Sequence, residues 1–475
     1  MFKTTRRTAA RLAAAGVAAG LLAAGAMTAA GPATADDGTQ PSSSGATATI
    51  DGIVPGLSDQ AVVTENGSTH GEIAGLFRMN LDSGGSILTY CIDFHNGTQD
   101  HAQYHEVPWS ATSLYAPGKD RAGAGKIDWI LQHSFPQVSD LDALAKAAHA
   151  GPLTKKTAAA GTQVAIWRYS DGVDVKAKDP AAEQLAEYLY NTAVAVAEPA
   201  ASLTLTPAAV SGKSGDRLGP VTVHTTATTA RPELAASAPS GAKLVDAQGK
   251  PVTEVKDGAE LYIDIPAGTP DGSTSLTVTA STTVPIGRAF TGTNDKGTPS
   301  QTQILAGSDS TDVTASATAS WARKGAIPAL SAQVDCAKNG VDVTASNQGD
   351  EGFTFRLEGR TYTIAPGKSQ TVTVPVAEDQ KYRIDITLPD KTVKTFQGVL
   401  DCRTATTPSP SAPGNQPSPA TSPATTSGTT AGGGNLAETG SSSATPVIAG
   451  IAAALVVVGG GAVFFFRRKK SSGAS

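Results

Sequence analysis

The sequence predicts a mainly β chain of several domains, with a helical lobe in its first third, a disordered linker and one transmembrane helix near its C-terminus. Three observations carry this. From about residue 201 to 403 the chain is a succession of short Thr/Val-rich segments broken by Gly, Pro and Asp, the pattern of β-sandwich strands and turns. Between residues 122 and 172 it turns helical, with Ile127, Ile130 and Leu131 at helical spacing and two alanine-rich runs, DLDALAKAAHA and KKTAAAGTQVAIW. Residues 404–435 are Thr, Pro, Ser, Ala, Gly, Asn and Gln, a composition that cannot bury a core.

Taken in order, residues 1–35 read as a secretory signal. Lys3, Arg6, Arg7 and Arg11 form a basic start, an Ala/Leu/Gly-rich stretch follows, and Ala33-Thr34-Ala35 is a small-residue site with cleavage expected after Ala35. The helical stretch between residues 122 and 172 belongs to a first domain that precedes the sandwich region. Residues 201–325 read as an immunoglobulin-like sandwich, with SLTLTPAAV, GPVTVHTTAT, ELYIDIP, TSLTVTASTTV, TQILAGS and DVTASATASW as strands. With Asn294 as its one asparagine, it offers little for Lys–Asn cross-links. Residues 330–403 read as a second, smaller immunoglobulin-like sandwich bracketed by Cys336 and Cys402. A disulfide between them would contribute on the order of 4 kcal/mol. Both sandwiches are expected to be spacers, and the linker beyond them reaches roughly 100 Å when extended.

The C-terminus carries a three-part signal. Leu436-Ala437-Glu438-Thr439-Gly440 precedes an apolar run from Pro446 to Phe466 and the basic tail Arg467–Lys470. The run is long enough to span a bilayer and the tail stays cytoplasmic. Residues 436–470 thus resemble the sorting signal of sortase-anchored Gram-positive surface proteins, in the LAxTG variant of high-GC bacteria. That resemblance implies sortase and peptidoglycan as partners, with a membrane-spanning precursor and a cell-wall location for the secreted chain.

Signal and tail each remove four basic residues and no acidic ones, so the formal charge of −5 becomes −13, with 29 Lys+Arg against 42 Asp+Glu. Such a chain is a poor ligand for nucleic acid or other anionic polymers. His95, His101 and His105 match no zinc spacing and read as a polar loop, so neither metal nor cofactor is expected.

With Cys336 and Cys402 paired, Cys91 is an odd thiol outside the cell. In SILTYCIDFHNGT, alternation puts Leu88, Tyr90, Ile92 and Phe94 on one strand face and Ile87, Thr89, Cys91 and Asp93 on the other. A second oddity lies in GTQVAIWRYSDG, a helix ended by Asp171-Gly172. Gln163 shares the apolar stripe of Ala159, Ala160, Ile166 and Trp167. A buried amide without partners costs a few kcal/mol. Attack of the Cys91 sulfur on the Gln163 carbonyl, with loss of ammonia, would remove both oddities by forming a thioester.

YCID at 90–93 and TQVAIW at 162–167 resemble the two signatures of the thioester domains of Gram-positive surface adhesins, whose glutamine motif is TQxA followed by an apolar residue and Trp. The resemblance covers about residues 45–197. It implies a Cys91–Gln163 thioester in a β body with a helical lobe, and a single-turnover acyl transfer, not enzymatic catalysis, to a nucleophile such as a lysine amine on a partner protein or surface ligand. Asp93 and His95 are candidates to accept a proton nearby. The alternative is an anchored, non-covalent binding protein in which Cys91 is an ordinary buried thiol.

The sorting signal yields a direct expectation. Thr439 becomes the mature C-terminus, joined to a wall amine, and deletion of LAETG moves the protein from the wall fraction to membrane or medium. An unchanged wall fraction would reduce the anchor to a plain membrane span.

Overall fold

The computed structural model describes residues 44–402. The signal segment, the linker, the sorting pentapeptide and the apolar run lie outside the described residues. Among those described, no helix is long and apolar enough to cross a membrane.

The first body is built on antiparallel strands. Thr47–Glu65 pairs with Ser68–Leu81, which pairs with Ser86–Cys91. Thr47–Glu65 also pairs with Gln103–Val107 on its other side. Two more strands, Ala289–Thr293 and Pro299–Ser308, lie between Gln103–Val107 and Ser86–Cys91 and close the ring into a six-stranded barrel. Asp174–Ala177 adds to Thr47–Glu65 as an appendage.

The two closing strands come from within the 201–325 segment, which was expected to form one sandwich. TQILAGS does not belong to the sandwich sheets. It forms most of Pro299–Ser308, buried along nearly its whole length between Ser86–Cys91 and Ala289–Thr293. The sandwich strands Gly272–Thr283 and Ser310–Ala322 pair with each other over twelve residues. The chain between them leaves as a hairpin, completes the barrel and returns. Local composition marks a strand here but carries no information about its partner. The 201–325 segment is therefore more than a spacer.

The remainder of that segment forms two facing sheets. One orders Ser44–Gly45, Ser310–Ala322, Gly272–Thr283 and Ala230–Leu234, with Ala209–Lys213 parallel to Ser310–Ala322. The other orders Lys243–Val245, Glu260–Asp264, Arg217–Thr225 and Leu203–Thr206. The small C-terminal domain has its own core. Its three-stranded sheet, Pro328–Asp335, Gly340–Asn347 and Lys368–Pro375, is accompanied by the hairpins Phe353–Ile364 and Lys381–Val399. Cys336 and Cys402 are joined by a disulfide, with Cα atoms 5.2 Å apart.

The helical lobe comprises α1 (Ala122–Gln132), α2 (Leu141–Ala147), α3 (Lys155–Ser170) and α4 (Pro180–Thr192). A capping box between Thr154 and Thr157 starts α3, and Gly172 at φ +74° follows its end. The expected single apolar stripe is replaced by burial all round, from Thr157 through Trp167. Such a helix is central to its domain, and α3 lies between the barrel, α1 and α4. Gly161 permits this, because a Cβ there would meet the Ala182 carbonyl of α4 at 2.5 Å.

A buried ionic cluster clamps the hairpin to the barrel. Arg288 donates from Nε to Glu106 Oε1 at 2.8 Å and from Nη1 to Glu198 Oε1 at 2.6 Å. Glu106 also accepts from the N–H groups of Ala46 and Ser202 and from the Ser202 hydroxyl. Removing one partner strands the other charge. Arg288→Ala should lower unfolding free energy by about 3–5 kcal/mol in denaturant titration. Arg288→Lys should recover only part of it, since an ammonium cannot reproduce the forked contacts. A loss below about 1 kcal/mol, the scale of an exposed pair, would show that the clamp does not hold the barrel closed.

Candidate functional site

The strand bearing Cys91 has a gap at its end. Ser68–Leu81 pairs with it only as far as Thr89, opposite Phe77. On the other side Cys91 lies opposite Gln303. The main chain of Cys91 is met instead by the side chain of Gln163. Gln163 Oε1 accepts from the Cys91 N–H at 2.9 Å, and Gln163 Nε2 donates to the Cys91 carbonyl at 2.8 Å. The carboxamide thus acts as one rung of a missing strand. Both residues are fully buried, and the two bonds offset the desolvation that burying an amide demands. The helix supplies the reach, because α3 crosses the barrel with Gln163 on the face turned to this gap.

Cys91 carries a free, buried thiol. Its sulfur accepts from the Asp93 N–H at 3.3 Å. Burial pushes the thiol pKa well up, and the negative charges of Asp171 and Asp93 push it further. The indole of Trp167 acts in the opposite sense. Its buried N–H has no acceptor at full hydrogen-bonding geometry, and the sulfur is the group on which it acts. Trp167 is held edge-on by Phe94, with ring centroids 5.1 Å apart.

Strand geometry ends at Cys91, so the predicted alternation does not continue through Ile92 and Phe94, and Tyr90 and Cys91 are buried on both faces. Asp93 turns inward at 1 % exposure. Its Oδ2 accepts from Asn96 Nδ2 at 2.8 Å and from the Thr302 N–H at 3.3 Å, while Oδ1 has no partner. Burial, and then Asp171, raise its pKa to about 7. His95 stands further out. It faces Glu65 at 3.5 Å and acts on Asp171, with no part among the groups acting on the sulfur.

Asp171 is the site residue that sequence reading assigned only to ending the helix. Burial raises its pKa, Ser170 Oγ donates to its Oδ2 at 2.6 Å, and Oδ1 has no partner. The signal was present in the spacing: Gln163, Trp167 and Asp171 stand at i, i+4 and i+8, one face of a helix. Gln303 was missed for a different reason, since nothing local to TQILAGS points to Cys91.

Residues 88–195 match the family model of the thioester domain. That match spans both Cys91 and Gln163. Residues 328–399 match the model of the bacterial phospholipase C C-terminal domain. Among solved structures, the chain is similar to the Bacillus anthracis TIE protein, at 13 % identity over 76 % of this chain and 81 % of that one, with a TM-score of 0.27. It is also similar to the thioester domain of the Enterococcus faecium TIE86 protein, at 19 % identity over 58 % of this chain and 97 % of that one, with a TM-score of 0.26. No curated protein matches the chain.

The Asp93 carboxyl gives a pH signature of the site. An acid whose folded pKa lies above its unfolded value near 3.9 makes the native state lose stability as pH rises between those values. For Asp93 that window runs from about 4 to about 7. Wild-type Tm should therefore fall across it more steeply than that of Asp93→Asn, and the gap should stop widening above about pH 7. Parallel Tm curves would mean that Asp93 is ionised in the folded protein throughout.

Proposed function

We propose that the chain is a cell-wall-anchored surface adhesin whose Cys91 and Gln163 form an internal thioester that captures a partner covalently. The observation that carries this reading is the rung between the Gln163 carboxamide and the Cys91 main chain, which holds the electrophilic carbon against the residue bearing an unpaired thiol. The thioester-domain match over residues 88–195 supports it.

Thioester formation is balanced within the site. The Cys91 thiol gives its proton to a neighbouring carboxylate, and sulfur attacks Gln163 Cδ. The C–N bond breaks, and ammonia leaves carrying the proton returned by the carboxyl. Asp93, which is buried, and Asp171, which is half-buried, are suited to this exchange, since each has one unpartnered oxygen and a raised pKa. Capture runs the same relay in the other direction. A neutral amine attacks Gln163 Cδ, the C–S bond breaks, an amide forms and the Cys91 thiol is regenerated. A thiolate flanked by two carboxylates is a poor leaving group, so proton delivery to sulfur is part of the step. Burial of both residues protects the bond from water until a partner arrives.

Intact mass tests the reading. The secreted wild type should be lighter than its sequence mass by one ammonia and lack a reactive thiol at Cys91. Cys91→Ala and Gln163→Ala should each restore the full mass. Well-folded wild type that retains its ammonia would sink the thioester.

A further inference from the structure

The strand that closes the barrel beside Cys91 carries a bulge at the site. Between Ala289–Thr293 and Pro299–Ser308, Phe290 lies opposite Gln303 and Gly292 opposite Ser300, so Gln301 and Thr302 together face the single residue Thr291. An extra residue of this kind interrupts the ladder and re-aims the groups around it. In a regular strand successive N–H groups point to opposite edges. Here two in succession turn to the segment that follows Cys91. The Gln301 N–H donates to the Gly97 carbonyl at 3.2 Å, and the Thr302 N–H donates to Asp93 Oδ2 at 3.3 Å.

Side chains continue this brace. Gln301 Nε2 donates to the Asn96 carbonyl at 2.8 Å, Gln301 Oε1 accepts from Gln303 Nε2 at 3.1 Å, and Gln303 Oε1 accepts from Thr89 Oγ1 at 2.9 Å. Thr89, Gln301 and Gln303 are all buried. One end fixes the direction of the chain, because a main-chain carbonyl can only accept. Gln301 must turn its nitrogen to Asn96, which turns its oxygen to Gln303, and the Gln303 oxygen then meets the Thr89 hydroxyl. Asn96 closes the circuit by donating from Nδ2 to Asp93 Oδ2 at 2.8 Å. Thr89 precedes Cys91 and Asn96 follows it, so the two glutamines span the 92–97 turn on which Asp93 sits. Both donors to Asp93 reach Oδ2, which leaves Oδ1 without a partner, and the Asp93 N–H stays 3.3 Å from the Cys91 sulfur. Apolar residues in place of the glutamines would satisfy burial, but they would leave the Asn96 carbonyl unheld.

We propose that Gln301, supported by Gln303, is a positioning residue for acyl transfer at Cys91 and Gln163: it holds the 92–97 turn so that Asp93 stays against the sulfur with one carboxyl oxygen free. This rests on the capture reading above. In that step the amine nitrogen bonds to Gln163 Cδ and the C–S pair leaves on Sγ. Asp93 gives Sγ its proton and recovers one from the newly bonded nitrogen, so the products are an amide and the Cys91 thiol. Gln301 acts through Asn96 and Asp93, not on the reacting atoms. Other ionisable groups also face Asp93: the Cys91 thiol on its own strand, Asp171 at the end of α3, Tyr104 on the barrel, and Asp379 and Asp401 on the small domain. A substitution at Gln301 removes none of them, so a change in Asp93 there reports the brace.

The test follows capture of ethylamine by intact mass on the secreted chain, from about pH 5 to about pH 9. It compares wild type, Asp93→Asn, Gln301→Met and the double variant. Neutral ethylamine, like a neutral lysine, rises about tenfold per pH unit below its own pKa. Protonated Asp93 falls away above about 7, so the wild-type rate should climb and then level near that pH. Asp93→Asn should climb throughout. Gln301→Met fills a similar space without a donor. Releasing Asn96 takes a hydrogen bond from the Asp93 carboxylate and raises its pKa, so the break should move to higher pH. Below the break, where Asp93 is protonated in both proteins, the Gln301→Met rate should be about tenfold lower. In the Asp93→Asn background the same change should cost less than about twofold, since the group it positions is gone. A packing role alone would slow both backgrounds alike and leave the break in place. That outcome, or a wild-type profile without a break, overturns the proposal and leaves the capture reading standing. Absence of the thioester from wild type removes both. Should Gln301→Met fail to fold or to form the thioester, Gln303→Leu, one bond further from Asp93, decides the outcome by the same two readouts.

Discussion

The structure turns on the buried pair between Glu106 and Arg288. Glu106 sits on a barrel strand and Arg288 at the foot of the hairpin that leaves the sandwich. Their side chains are almost fully buried, at 1 % and 5 % exposure, so neither charge can be left alone without a large desolvation cost. Around them gather Ala46 at the entry to the barrel, Ser202 at the entry to the sandwich, and Glu198 in the connection between the two. Four segments far apart in the chain, at Ala46, Glu106, Glu198–Ser202 and Arg288, are thereby held at one point. The hairpin that follows Arg288 pairs with Gln103–Val107 on one side and Ser86–Cys91 on the other, closing the barrel beside Cys91.

Closure shapes the site through the main chain. Pro299–Ser308 lies along one side of the Cys91 strand, its Thr302 N–H donates to Asp93, and the Thr302 carbonyl accepts from Ile92. The opposite side is vacated where Ser68–Leu81 stops pairing, and Gln163 enters there as a surrogate strand. A side-chain amide held by two main-chain bonds has little rotational freedom, which is the pre-organisation that an intramolecular acyl transfer requires. Burial then works in two directions. It keeps Cys91 and Gln163 from water, and it leaves Asp93 and Asp171 carrying protons more readily than exposed carboxyls do.

The small domain is joined to this arrangement by packing and by hydrogen bonds. Tyr115 bridges the two cores, Lys381 donates to the Lys296 carbonyl of the hairpin, and Ser211 donates to the Ile327 carbonyl where the domains meet. The Cys336–Cys402 bond ties the last described residues of the chain back to its turn against the barrel. Bodies distant along the chain thus meet at the first one, through the hairpin of the second and the Cys336–Lys338 turn of the third.

The sequence by itself brought out the candidate pair. An odd cysteine, a glutamine within a buried helix and two short motifs pointed to Cys91 and Gln163, because unpaired polar groups in apolar surroundings need partners and their identity is written locally. It also determined the β-rich class, the helical lobe and the pairing of Cys336 with Cys402, through periodicity, turn residues and cysteine count. Tertiary structure alone decided the rest. TQILAGS reads as a strand, and its pairing with Ser86–Cys91 and Ala289–Thr293 is what assigns it to the barrel. Asp171 reads locally as a helix end, and its role beside the sulfur appears once α3 crosses the Cys91 strand. Gln303 lies opposite Cys91 although 212 residues separate them in the chain, and no local pattern encodes that pairing, because strand register is set by the fold.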